Sequence, residues 1–380
     1  MKVLYLYDNF PAYRKDFFAL LDSKLHEKKM QFAFYYGSQK ENASLQETVS
    51  SFPIKSFPIV ESRVLGIELK RYKDFRKAFK KYNPDVVVLQ FHVVILTYWW
   101  AYFYMKRHHI PFIIWDCNYT RDTLGSVMVS IRKKFVDFTF KKAAACITYG
   151  SVFRNYLKDL GRKEEDIFIA QNTINIESII SHRSKNCSNR RFEHPIHFLY
   201  VGALLDRKYV DSAVIAVANL INKGYDIYFD IVGDGPEKSK IIAIIQERKA
   251  EKHIIMHGAK YGDELKEFFE KDDVFLLPGT GGLAINEALA YSMPIISTVG
   301  DDTVVDLMDG NGILLNSFGD VDEIETALNS FLDLPESEKQ TMSHRSEQVV
   351  KERASLENMA NQHVRAIEHV IGKMGGDQNY

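Results

Sequence analysis

The strongest constraint on this chain is a rhythm. Short runs of β-branched and aromatic residues recur along its length, with helically spaced segments between most of them. In the first half the runs are Val3–Tyr7, Gln31–Tyr36, Val86–Gln90, Phe112–Trp115, Ala145–Tyr149 and Ile167–Ala170. In the second they are Ile196–Val201, Ile227–Val232, Ile254–Met256, Val274–Leu277, Ile295–Ser297 and Gly312–Leu314. Repeated β-α units bury their apolar surface as parallel sheets with helices on both faces, so the expected class is α/β. Val86 to Met105 tests this reading, because it carries no formal charge and is long enough to cross a bilayer. Its character changes midway, however. Val86–Gln90 has the composition of a buried parallel strand, Ile95–Arg107 that of a helix, and Phe112–Trp115 that of the next strand, which makes β-α-β the better reading.

A length of 380 residues suggests about two domains. The polar run His182–Arg191 has no apolar period, and Pro195 then precedes a fresh strand. The expected division is therefore 1–185, 190–350, and a C-terminal helix and tail over 351–380. Met359, Val364, Ile367, Val370 and Ile371 fall at helical spacing in that tail. With 46% hydrophobic and 26% charged residues, the chain is neither a disordered polymer nor a disulfide scaffold.

The net charge of −1 conceals an asymmetry: residues 1–190 hold 31 Lys/Arg and 18 Asp/Glu, a balance of +13. A basic half favours an anionic partner. The segment Lys70–Tyr82 is expected to be a helix with aromatics at 72, 75, 79 and 82 on one face and seven cations on the rest. It reads either as a helix packed on the sheet with its charges in water or as a contact with anionic lipid. Cys117, Cys146 and Cys187 form no C-x-x-C pair, which suits reduced thiols in a cytoplasm and no zinc site. The first apolar run ends at Tyr7, too early for a signal-peptide core.

Three segments carry chemistry. In Val201–Lys208, Gly202 lets a loop approach a ligand closely. Arg207 and Lys208 at the following helix mouth could hold a diphosphate, or could be solvated surface charges. Gly233-Asp234-Gly235-Pro236 reads as a strand-to-helix turn, since Pro236 and Lys238 break the dinucleotide fingerprint. In Leu277–Ala288, Gly279, Gly281 and Gly282 lead into a helix from about Leu283, whose free N–H groups and dipole form an anion site. Glu287, one turn into that helix, can accept from two sugar hydroxyls. His92 is either a satisfied core histidine or a group at a strand end.

Taken in order, these segments and Ala290-Tyr291-Ser292-Met293-Pro294-Ile295-Ile296 resemble the family 4 (group 1) glycosyltransferases. Asn83-Pro84-Asp85-Val86-Val87, Tyr149-Gly150-Ser151 and Gln171-Asn172-Thr173-Ile174-Asn175 agree less sharply, and the resemblance covers about Met1 to Leu315. It implies the GT-B fold: two doubly wound Rossmann-like domains facing each other across a cleft, the first on the acceptor side and the second binding the nucleotide sugar. Arg207 and Lys208 would grip the leaving diphosphate as catalytic cations. Gly202 and the amides of Gly281, Gly282 and Leu283 would line the donor, and Glu287 would bind the ribose hydroxyls. Trp115-Asp116 stands where many members have His-Asp, so Asp116 would either position the acceptor as a catalytic carboxylate or be a plain strand-end Asp. Pro11-Ala12-Tyr13-Arg14 replaces the family's N-terminal glycine pair, so Tyr13 would line the acceptor-side cleft and Arg14 would put a cation in it.

The resemblance also implies retention of anomeric configuration, a nucleoside-diphosphate sugar as co-substrate, and no metal or other cofactor. The acceptor would be a glycan or a lipid-linked precursor of lipopolysaccharide or capsule. The cysteines and the basic first half, rather than the resemblance, suggest a cytoplasmic protein peripheral at an anionic inner membrane face, and no nucleic-acid partner is expected. Three positions depart from the family pattern. Its first glutamate falls on Gly279, its usual arginine is Ala203, and its usual glycine after the lysine is Tyr209. Gly279 and Ala203 keep a non-catalytic sugar-nucleotide-binding protein open as an alternative. An oxidoreductase is a further rival, disfavoured by the lack of G-x-G-x-x-G after the first strand.

Overall fold

The computed structural model describes residues 1–38, 52–64, 67–116, 126–193, 195–301 and 303–376. They form two compact units, Met1–Gln171 with Leu356–Tyr380, and Asn172–Ser355.

The first unit holds β1 Lys2–Tyr7, β2 Gln31–Ser38, β3 Ile54–Val64, β4 Ile67–Tyr72, β5 Val86–Leu89, β6 Phe112–Trp115, β7 Ala145–Thr148 and β8 Ile167–Ile169. They lie in the order β4-β3-β2-β1-β5-β6-β7-β8. Pairing is parallel throughout except between β3 and β4. Each strand expected from the apolar runs is present, and β3–β4 is an addition. This edge hairpin is mostly exposed, contains Pro58 and alternates with charged residues, so it offers no buried run to read.

The hairpin also corrects the helix expected over Lys70–Tyr82. Lys70 to Tyr72 complete β4, Asp74 takes a left-handed φ of 60°, and the helix is Phe75–Tyr82. Tyr72, Phe75 and Phe79 still point into the core. The strand residues alternate between two cores. Val3, Tyr5, Val86 and Val88 pack under helices Lys15–Glu27 and Leu356–Gly376, and Leu4, Leu6, Val87 and Leu89 pack under helices Phe75–Tyr82, Leu96–Arg107 and Ser126–Lys142. Among the described residues no helix is long and apolar enough to cross a membrane; Val86–Met105 is a strand followed by most of a helix.

The second unit holds β9 Ile196–Val201, β10 Ile227–Val232, β11 Ile254–Gly258, β12 Val274–Leu277, β13 Ile295–Ser297 and β14 Gly312–Leu314. All are parallel, in the order β11-β10-β9-β12-β13-β14. This is the doubly wound order, and its direction reverses between β9 and β12, where such sheets bind ligands beyond the strand carboxyl ends.

The division between units differs from the expected 185–190. It falls after Gln171, because the polar run is stapled to the second unit by its arginines. Arg183 bonds Glu347 and Ser292 Oγ, and Arg190 is buried on the carbonyls of Asp272, Phe269 and Tyr291. The C-terminal helix Leu356–Gly376 is no separate tail: Met359, Val364, Ile367 and Val370 sit in the first unit's core. Its His363 is fully buried, bonded to the Tyr5 hydroxyl at 2.7 Å and held far below the ordinary histidine range by burial. Cys146 and Cys187 are buried free thiols, and Cys117 lies outside the described residues.

Candidate active site

The switch point of the second sheet is built by backbone meeting backbone. After β9 the chain runs through Gly202 to a short 3₁₀ turn, Asp206–Lys208. After β12 it runs through Gly279, Thr280, Gly281 and Gly282 into helix Leu283–Ala290. The two loops are laced together. Thr280 N donates to Arg207 O at 3.0 Å, Thr280 Oγ1 donates to the same carbonyl at 3.1 Å, and Lys208 Nζ donates to Thr280 O at 2.5 Å. Arg207 Nη1 reaches Thr280 Oγ1 at 3.1 Å. The structure thus brings Arg207, Lys208 and the Gly281-Gly282-Leu283 helix mouth to one place.

This lacing explains why position 279 is glycine. A Cβ there would lie 2.5 Å from the carbonyl carbon and oxygen of Lys208 and 2.6 Å from Arg207 O. No side chain fits without moving the cationic turn, so the family's first carboxylate has no room in this arrangement. Gly202 is less tightly constrained, since a Cβ would meet only the Tyr200 side chain, its hydroxyl at 2.9 Å. Tyr209, where the family has glycine, takes the left-handed conformation (φ 51°, ψ 35°) that favours glycine. Its ring covers Gly319, where a Cβ would collide with it, and this packing holds the strained residue. Gly233 and Gly235 pack against Gly202 O and Leu204 O, which supports their reading as a structural turn.

Burial sets the electrostatics. The Lys208 ammonium is held below the usual lysine range by burial and by the neighbouring Arg207 charge. Burial pushes the Glu287 carboxyl up to about 7. Asp301 is a neighbour that sequence reading missed. A Cβ at Gly282 would come within 3.3 Å of Asp301 Oδ2, so this carboxylate lies at the helix mouth, with Oδ1 accepting from Thr303 Oγ1 at 2.5 Å. Its signal, an acid seven residues after Met293-Pro294, carries no meaning without the fold.

A separate cluster, His197, Asp230 and Asp272, sets metal-ligating atoms within 4.8 Å of one another among the described residues. His197 is near the start of β9 and Asp272 just precedes β12, so the cluster is at the opposite end of the strands from the glycine loops. Burial and the Asp230 charge push Asp272 up to about 8.

In the first unit, the sites expected from sequence converge in part. Arg14 is only 3% exposed, which corrects its expected place as a cleft cation. It stacks over Trp115 at 4.4 Å and donates to the hydroxyls of Tyr7 at 2.8 Å and Tyr149 at 2.7 Å. A guanidinium among aromatic rings and phenols is drawn inward, and Tyr13, 46% exposed, takes the surface instead. Asp116 follows Trp115 at the end of β6, and its charge acts on the Tyr7 hydroxyl.

This sheet has its own switch point, between β1 and β5, and a cavity of about 530 Å³ opens there. Asp8, Lys70, Tyr72 and His92 line it, with His92 Nε2 3.7 Å from Asp8 Oδ2. His92 is therefore a strand-end group. Asp8 was not singled out by sequence, and Lys70 was read only as one cation of the basic segment, because nothing local distinguishes either from a solvated charge.

The class defined by these features is the GT-B fold. Anabaena HepE in complex with UDP superimposes with a TM-score of 0.70 over 97% of this chain and 100% of that one, at 14% identity. Residues 183–348 match the family Glycosyl transferases group 1, which bears out the resemblance stated above. Similar relatives include the protein assigned as the colanic acid biosynthesis glycosyltransferase WcaL of Salmonella typhimurium, 27% identical over 42% of this chain and 40% of that protein. Another is the alpha-monoglucosyldiacylglycerol synthase of Acholeplasma laidlawii, 33% identical over 31% of each. The chain thus matches less than half the length of these relatives.

Proposed function

We propose that the protein is a retaining glycosyltransferase. It moves a sugar from a nucleoside diphosphate to a hydroxyl of a glycan or lipid-linked acceptor in surface polysaccharide or glycolipid synthesis. The lacing of the Arg207-Lys208 turn to the glycine loop at the switch point carries this reading. It holds two cations beside a helix N-terminus. As the anomeric C–O bond breaks, charge grows on the departing diphosphate, and preorganised cations stabilise that state most. The acceptor oxygen bonds to the anomeric carbon on the same face, and its proton leaves with the diphosphate. In this scheme Glu287 as carboxylate accepts from the ribose hydroxyls, Asp116 orients the acceptor, and no metal takes part.

UDP among the ligands of the HepE structure supports a nucleotide-sugar donor. WcaL supports a polysaccharide setting, and the glucolipid synthase supports a lipid acceptor. The experiment is a calorimetric screen of nucleotide sugars, followed by turnover of the bound donor. Binding without any transfer or hydrolysis would favour the non-catalytic alternative that Gly279 keeps open.

A further inference from the structure

We propose that the protein docks on anionic bilayers through a groove between helices Leu96–Arg107 and Ser126–Lys142. This rests on the reading that the acceptor is membrane-bound, and it names the surface that reaches it. On most of the first unit the apolar residues face inward. Here Phe103 is 61% exposed and Phe135 49%, and with Trp99 and Phe138 they line an open groove of about 480 Å³. The rings support one another, with Trp99 and Phe135 centroids at 5.6 Å and those of Tyr102 and Phe138 at 5.9 Å. An exposed aromatic patch of this kind marks an interaction surface.

Its rim selects the partner. Lys106 and Lys134 border the groove, and Lys142 lies 6.0 Å from the Phe138 ring. On the other flank, helix Phe75–Tyr82 adds Arg76 over Trp100 at 5.4 Å and Lys80 over Tyr104 at 5.7 Å. In these helices, 75–82, 96–107 and 133–142, ten Lys/Arg face one acid, Asp137, which is tied to Lys133. Aromatic rings inside a cationic frame match the interfacial layer of an anionic membrane, where rings sit at headgroup depth and nearby cations are drawn to the anionic headgroups. The basic helix singled out by sequence thus supplies the flank of the surface, and its aromatics are spent on the core.

The test is flotation of the full chain with phosphatidylglycerol-containing vesicles and with pure phosphatidylcholine vesicles. Binding is expected to the first only. The pair Phe103→Ser and Phe135→Ser should lower partitioning by about tenfold or more, as should Lys106→Glu with Lys134→Glu. Brominated lipid should quench tryptophan emission, and Trp99→Phe should remove most of that quenching. All these side chains lie outside the donor loops, so donor affinity should be unchanged, and an unchanged melting temperature certifies the fold of each variant. Flotation that survives the paired variants, or equal binding to neutral vesicles, overturns the proposal. So does a dimer, or binding of a single-stranded oligonucleotide, that the same variants abolish while vesicles never bind. Normal donor turnover without flotation sinks this proposal alone, and flotation without donor binding sinks the transferase reading alone.

Discussion

The switch points of the two sheets are assembled from different materials. In the C-terminal unit the loops after β9 and β12 meet through main-chain groups, and the glycine at 279 marks where a Cβ would strike the backbone of the other loop. In the N-terminal unit the corresponding strand ends are filled by side chains from distant segments. Arg14, Tyr7, Tyr149 and Trp115 form one group, and Asp8, Lys70 and His92 another. A backbone cradle suits a phosphate, whose recognition needs only aligned N–H groups and fixed cations. A side-chain wall can be altered one residue at a time and suits a partner that varies. In this reading the fold divides a fixed task from an adjustable one.

The largest effect is expected where the backbone cradle carries its charge. Lys208→Ala should lower turnover by about 2.7–4 kcal/mol of barrier, more than it weakens donor binding, with EDTA without effect. Adding a change at Arg207 should be less than additive, since both cations serve one leaving group. Steady-state kinetics with the identified donor measures both. Normal turnover in Lys208→Ala would place the diphosphate elsewhere.

Next comes Glu287. Glu287→Gln should weaken donor binding by about 1.5–3 kcal/mol, the worth of a charge-assisted hydrogen bond. Because its folded pKa is raised from 4.5 to about 7, the native state holds this proton longer than the unfolded chain does. Its contribution therefore destabilises the fold as pH rises through that window, and the cost is complete above it. The Gln variant should then melt higher than the parent at alkaline pH, by up to about 3 kcal/mol, and the gap should close toward the ordinary carboxyl range. Melting curves between about pH 5 and pH 9 check the sign.

Gly279→Ala tests the lacing itself. Its Cβ must displace the Lys208 carbonyl, at a cost of about 1–3 kcal/mol in stability. Gly372→Ala, in a helix with open space around it, should instead stabilise by up to about 1 kcal/mol. Equal behaviour of the two in chemical denaturation would mean the loops are not held as described.

The side-chain wall should respond differently. Arg14→Lys loses the paired donation to Tyr7 and Tyr149, and should destabilise by about 1–3 kcal/mol while donor affinity stays unchanged. If the donor constant moves with it, the proposed division of labour between the units fails. The smallest effect is expected at Tyr209→Gly, within about 1 kcal/mol in melting experiments, because relief of the left-handed backbone offsets the ring packing lost over Gly319.

The strands of the second sheet and its glycine loops were legible from the chain alone, but the lacing of the Arg207-Lys208 turn to the glycine loop was not, since it joins residues 73 positions apart. The strands and loops depend on residue type within a few positions: β-branched runs make buried strands, and glycine after a strand makes a loop that other groups can approach. The β3–β4 hairpin was not legible, because an exposed edge strand needs no apolar run. Nor was the burial of Arg14, since a cation's surroundings come from residues as far away as Tyr149. The domain boundary misled for a related reason. A polar segment reads as a linker until its arginines find carbonyls and Glu347 on the unit that follows. The sequence by itself determined that two largely parallel sheets form and where glycine loops leave the strands of the second. Only the tertiary structure decided which charges are buried, why position 279 excludes a side chain, and which aromatic rings remain in water, because those depend on contacts between segments that sequence distance does not reveal.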